Sequence, residues 1–143
     1  MDYRNLVFYQ KARQVVKGVS AEIKKWPRTA HAEAISKQLF RSATSIGASI
    51  AEGHGRHQGP EYIHFLYIAQ GSANEVDHWL NTALDCGIGD STVLHQLIIV
   101  NNETRKMLKA TLDSLHKKQM GKVVRETLPP YSPIPFSPSN DDD

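Results

Sequence analysis

Two Glu-x-x-His pairs have the residue types and spacing of a metal site: Glu61-Tyr62-Ile63-His64 and Glu75-Val76-Asp77-His78. Carboxylate-bridged di-iron proteins built from four helices use this pattern. They place one pair on each of two facing helices, with two further glutamates between them. Here fourteen residues separate the pairs, about 21 Å along a single helix at 1.5 Å per residue. The two pairs therefore cannot close on one metal. Against an apolar stripe at Tyr62, Ala69 and Val76, both His64 and His78 point outward. His54 and His57 lie among glycines, and two histidines alone do not make a metal site. Neither a metal nor a cofactor is expected.

Nucleophilic chemistry has even less support. Cys86, the single cysteine, falls at a helix C-terminus, where the dipole raises a thiol pKa rather than lowering it. It reads as a half-buried small hydrophobe. Ser42, Ser45 and Ser49 have no histidine and carboxylate at a triad-like spacing; small residues in a helix serve close approach instead. The stretch from Gly53 to Gly59 is rich in glycine but follows a helix and lacks the Gly-Lys-Ser/Thr ending of a phosphate-binding P-loop. A non-enzymatic protein is expected.

Basic residues carry the stronger signal. The net charge is only +2, yet residues 1–60 sum to +6, 61–104 to −6, 105–125 to +6 and 126–143 to −4. Lys17, Lys24 and Lys25 lie off the apolar seam of the first helix. Lys106, Lys109, Lys117 and Lys118 form a second cluster near the end of the last one. If those helices are neighbours, the clusters merge into one phosphate-binding surface that does not read bases. An ordinary solvated lysine face is the plainer explanation. The acidic middle segment suggests another use, in which the basic face of one subunit meets the acidic face of the next.

Hydrophobic periodicity supplies the scaffold for these residues. Tyr9, Ala12, Val16, Val19, Ile23 and Trp26 step by threes and fours, a helical seam ended by Pro27. A second helix runs from about Ala30 to Glu52, with Ile35, Leu39, Ser42 or Ala43, Ile46 and Ile50 inward. Pro60 opens a third, whose stripe is Tyr62, Phe65, Leu66, Ala69, Ala73, Val76, Leu80 and Ala83, with Gly87 as its C-terminal cap. Asp90 or Ser91 caps a fourth, carrying Leu94, Leu97, Ile98, Asn101, Thr104, Leu108, Leu112 and Leu115 and fraying around Gly121. No segment alternates with period two. Short connections between long helices predict an all-α, antiparallel up-down-up-down four-helix bundle over residues 1–120.

Residues 121–143 form a Pro-rich C-terminal tail. Its core, Leu128 to Pro138, contains five prolines and cannot be helix or central strand. It is either a disordered tail or an extended strap that docks through Tyr131, Ile134 and Phe136. No run approaches the ~20 apolar residues of a membrane span, and Met1-Asp2-Tyr3-Arg4 does not begin a secretory signal. With one cysteine, a reduced cytoplasmic setting fits.

Three motifs resemble a known bacterial family. The run from Gln38 to Arg56, QLFRSATSIGASIAEGHGR, is similar to the signature Q-x-x-R-A-x-x-S-I-x-x-N-I-A-E-G-x-G-R. It belongs to the four-helix-bundle proteins encoded in intervening sequences of large-subunit ribosomal RNA genes. Leu6 to Ala12 resembles that family's L-x-V-W-Q-K-A, and Phe65 to Glu75 its F-L-x-I-A-x-G-S-x-x-E. The likeness spans about residues 5–118. Ser49 stands where the family has Asn, Gly47 where Pro is common, and Gln70 where Arg is frequent. The resemblance implies a homopentameric ring. It also implies kinship with the accessory variability proteins of diversity-generating retroelements, which form a basic barrel binding nucleic acid and a reverse transcriptase. Glu52 and Glu75 then read as structural partners of Arg41, Arg56 or helix ends, with about 3 kcal/mol at stake if such a pair is partly buried. The expected function is binding of RNA or DNA through backbone charge by an oligomer; the alternative is a scaffold that contacts only its own subunits or another protein.

Overall fold

Local chemistry sets the helix ends in the computed structural model, which describes residues 2–56 and 59–127, without the side chains of 122–127. A 3-10 turn over Tyr3–Asn5 precedes α1 (Val7–Ile23), α2 (Ala30–Gly55), α3 (Pro60–Asp85) and α4 (Ser91–Thr127). The Thr29 hydroxyl accepts from the Ala32 N–H at 3.3 Å and caps α2. Pro60, which has no N–H to satisfy, takes the first turn of α3. Asp90, not Ser91, caps α4: its Oδ1 accepts from the N–H groups of Thr92 and Val93 at 2.9 and 3.2 Å. Between α3 and α4, Gly87 and Gly89 hold φ of +65° and +88°, left-handed angles that favour glycine. α4 does not fray at Gly121 but continues to Thr127. Residues 128–143, which hold the tail's prolines with Tyr131, Ile134 and Phe136, lie outside the described residues.

Each helix packs on its chain neighbours, and α1 closes the cycle against α4. No strand occurs among the described residues, and none of their helices is long and apolar enough to cross a membrane. Contacts within each pair run in opposite chain order. Between α2 and α3, Ser42 meets Glu75 and Ser45 meets Ser72, while Gly53 lies against Tyr62 and Phe65. Between α1 and α4, Glu22 meets Asp90, Gly18 meets Leu97 and Lys11 meets Glu103.

The expected inward positions of α2 are all buried, and those of α3 and α4 are buried apart from half-buried Phe65, Ile98 and Leu115. In α1 the seam is displaced. Phe8, Ala12, Val15, Val19 and Glu22 face the core, followed by Trp26 beyond the helix end; Tyr9, Val16 and Ile23 only flank it. Glu22 occupies a core position because its Oε2 accepts from Trp26 Nε1–H at 3.0 Å and from the Asp90 backbone N–H at 2.8 Å. Asn101 is fully buried on α4 and donates its Nδ2–H to the Ala73 carbonyl at 2.9 Å. The second side-chain oxygen of Glu22 and the oxygen of Asn101 are buried with no partner among the described residues.

Candidate nucleic-acid interface

All seven lysines selected from the sequence are exposed: Lys17, Lys24, Lys25, Lys106, Lys109, Lys117 and Lys118. Lys109 is paired with Asp113 at 3.2 Å. The other six have no ion-pair partner among the described residues, so their charge is available to solvent or ligand. α1 and α4 are indeed neighbours, but the two clusters do not merge. Glu22 of α1 is level with Asp90 at the start of α4, which puts Lys24 and Lys25 at that end. Lys117 lies 27 residues beyond Asp90, about 40 Å along the helix. The cations are spread over about 40 Å of two neighbouring helices instead of forming one patch. At about 100° per residue, Lys106 and Lys117 share a face of α4, whereas Lys109 and Lys118 fan out to either side.

A second basic feature sits at the beginning of α1. Gln10, Arg13, Gln14, Lys17 and Lys24 are exposed on the side of α1 opposite Ala12, Val15 and Val19. The preceding 3-10 turn folds Tyr3 back so that its ring meets Tyr9 edge-on, with centroids 5.0 Å apart. Arg4 lies 4.8 Å from the Tyr3 centroid and pairs with Asp2 at 2.9 Å. The Arg4 backbone N–H, with its guanidinium, holds the Asp2 carboxyl below the usual carboxylate range. Between Tyr3 and Lys17 is an open depression of about 630 Å³. Sequence reasoning missed it because Tyr9 looks like a seam residue. The available signal was Tyr3-Arg4 placed six residues before Tyr9-Gln10. Gly47 of α2 lets the Tyr9 ring pack close: a methyl there would sit 3.3 Å from its Cε2.

The acidic residues are partly spent within the chain. Glu103 pairs with Lys11 at 2.8 Å, Asp77 with Arg105 at 3.8 Å and Glu61 with Arg56 at 3.9 Å. Glu52 pairs with Arg56 at 2.9 Å, but both side chains are about half exposed. That i,i+4 pair contributes about 0.3–0.5 kcal/mol, not the 3 kcal/mol of a buried one. Glu75 has a different partner from the one expected: it accepts from the Ser42 hydroxyl at 2.8 Å, while Arg41 donates to Gln38. His64 and His78 are exposed on α3. No group of three or more His, Cys, Asp or Glu is placed to hold a metal among the described residues; His57 lies outside them. Cys86 is exposed at the α3 C-terminus, not half-buried. Tyr62, packed at the α2–α3 seam, has its phenol pushed above its ordinary pKa by burial.

Known proteins bear on the same region. A solved structure from Bacteroides thetaiotaomicron, described as a protein of unknown function from the S23 ribosomal protein family, is 26% identical. It superposes with a TM-score of 0.60 over 74% of this chain and 98% of that one. None of the curated proteins matches. Residues 4–110, from the first turn through about half of α4, match the family described as 23S rRNA-intervening sequence protein. With three quarters of its length inside that match, the chain belongs to the 23S rRNA-intervening sequence protein family.

Proposed function

We propose that this protein is a non-enzymatic, cytoplasmic oligomer that binds nucleic acid through phosphate contacts. The observation that carries the reading is the set of exposed lysines without ion-pair partners among the described residues, Lys17, Lys24, Lys25, Lys106, Lys117 and Lys118, spread along α1 and α4, with Lys109 also exposed but paired with Asp113. Single cations dispersed over about 40 Å suit a polyanion better than a small anion, which needs its donors converged on one point. The opposite chain order of contacts in the neighbouring helices supports an antiparallel up-down-up-down bundle. Tyr67 and Ile68 of α3 and Ile99 of α4 are large apolar residues left exposed, and they support self-association, as a homopentamer in this reading. Other copies of the chain, or a protein partner such as a reverse transcriptase, would cover them. Repetition of the lysines around a ring multiplies a weak individual site.

A titration of RNA and DNA oligonucleotides at several salt concentrations tests the reading. Neutralising about four phosphates gives a log-log salt slope near −3 to −4. Exchanging two of the lysines for Gln weakens binding to all sequences alike and flattens that slope. Binding that is absent at about 50 mM salt, or indifferent to salt, overturns the reading and leaves a protein scaffold. Light scattering tests assembly separately: a pentamer of 16.0 kDa chains has a mass of about 80 kDa.

A further inference from the structure

We infer that the outer face of α1 and the turn before it bind single-stranded nucleic acid, Tyr3 and Tyr9 stacking a base while Arg13 and Lys17 hold phosphates. The inference rests on the phosphate-binding reading above and narrows it to one place and one state of the strand. Three observations carry it.

Aromatic surface is the first. Tyr3 and Tyr9 are only half-buried and stand together beside the open depression at the start of α1. Its volume of about 630 Å³ falls within the ~300–1,000 Å³ of sites that accept a small organic group. A base can use such a surface only when unstacked from its neighbours. In a duplex the bases are already stacked and paired, and the protein meets phosphates alone. Stacking on aromatics is tolerant of sequence because every base has a π-face.

Charge is the second. Arg13 and Lys17, one turn or about 6 Å apart, have no ion-pair partner among the described residues, and no acidic residue lines the depression. Asp2, in the turn before α1, is taken by Arg4 through both its backbone N–H and its guanidinium. Lys24 continues the row two turns further on. Hydrogen-bonding capacity is the third. Gln14 has no side-chain bond among the described residues, and Gln10 uses only its amide N–H, to the Arg4 carbonyl at 3.2 Å. Amide side chains beside an aromatic ring can pair with base edges. Cations alone would serve a duplex equally well; cations, amides with spare hydrogen-bonding capacity and tyrosines together favour a splayed strand.

Fluorescence anisotropy with labelled oligothymidine of about 20 nucleotides, single-stranded and as its duplex with oligoadenine, tests the inference on the full chain. The single strand is expected to bind at least about tenfold more tightly than the duplex at about 50 mM salt. R13Q/K17Q, both changes on the surface, should reduce the single-strand salt slope by about 1.4, two phosphates at about 0.7 each. Tyr3→Ala, in the turn outside the core, should reduce the preference for single strand by about fivefold or more. An iodouridine-substituted oligomer should photo-crosslink to Tyr3 or Tyr9. Equal affinity for both forms overturns the inference. So does an R13Q/K17Q variant that binds as wild type while K117Q/K118Q loses affinity, a result that leaves the broader phosphate-binding reading standing. Failure of both forms to bind overturns both readings.

Discussion

The seam between α2 and α3 and the seam between α1 and α4 are joined by different means. At the first, small residues bring two backbones together: a methyl on Gly53 would sit 2.7 Å from the Phe65 Cβ, and the hydroxyl bonds Ser42–Glu75 and Ser45–Ser72 tie the helices at successive contacts about one turn apart. At the second, the links are separate points. Glu22 clamps the loop at one end, Gly18 faces the tip of Leu97 in the middle, and Lys11 meets Glu103 further on. A continuous seam spreads its stabilisation over many atoms and resists any added volume. A pointwise seam concentrates it, so its residues differ greatly in what they contribute.

The largest effect is expected at the Glu22 clamp. Glu22→Ala leaves the buried Trp26 Nε1–H and the Asp90 N–H without their acceptor, costing about 3 kcal/mol, measurable by urea denaturation. A loss below about 1 kcal/mol would mean that the α3–α4 loop is held by something other than this carboxylate. Next comes a paired test of the two glycines. Gly53→Ala forces the Cβ of Phe65 aside and is expected to cost about 2 kcal/mol, as overpacking does. In Gly18→Ala the methyl meets only the end of Leu97, which can turn away, and the cost is expected to stay below about 1 kcal/mol. Equal losses would erase the distinction between the seams.

Smaller effects sharpen the comparison. A double-mutant cycle on Lys11 and Glu103, whose side chains are 28% and 45% exposed, should return about 0.5 kcal/mol of coupling, declining with salt. Tyr62, at the continuous seam, should appear only in alkali. Burial raises its folded pKa above the ordinary 10.0, so the unfolded chain loses the phenolic proton first. Its contribution is complete below about pH 10 and falls away as pH rises through the raised value. Tyr62→Phe should flatten that alkaline limb in a melting-temperature series, while a parallel limb in both proteins would assign it elsewhere.

How much of this was legible in sequence depends on which residues fill the core. α2, α3 and α4 present apolar side chains at helical steps, and Leu39, Ile46, Leu66, Leu80, Leu94 and Leu108 are buried as their spacing predicts. The α1 seam lies one position from the periodic one at Phe8, Val15 and Glu22 because a carboxylate takes the place of a hydrophobe at Glu22. Periodicity discounts a polar residue, and only the loop donors brought up from Asp90 and Trp26 make its burial favourable. Charge was legible as a count and not as a place. Which residues of α4 lie level with Lys24 follows from register, and register is set by Gly18 against Leu97 and Glu22 against Asp90. Tyr3 and Tyr9 come together through a turn whose fold depends on Asp2 capping Arg4.

Asn101 bears on how finely that register is fixed. Leucines at successive turns of a helix are nearly interchangeable, so an apolar seam can slip by a turn at modest cost. The carboxamide, tied to the Ala73 carbonyl in a layer without water contact, cannot be shifted into a neighbouring layer without losing that bond and stranding its amide hydrogens. It works as a detent: it deepens the native well little, with one oxygen left unsatisfied, and removes the adjacent wells into which α4 would otherwise slide against α3.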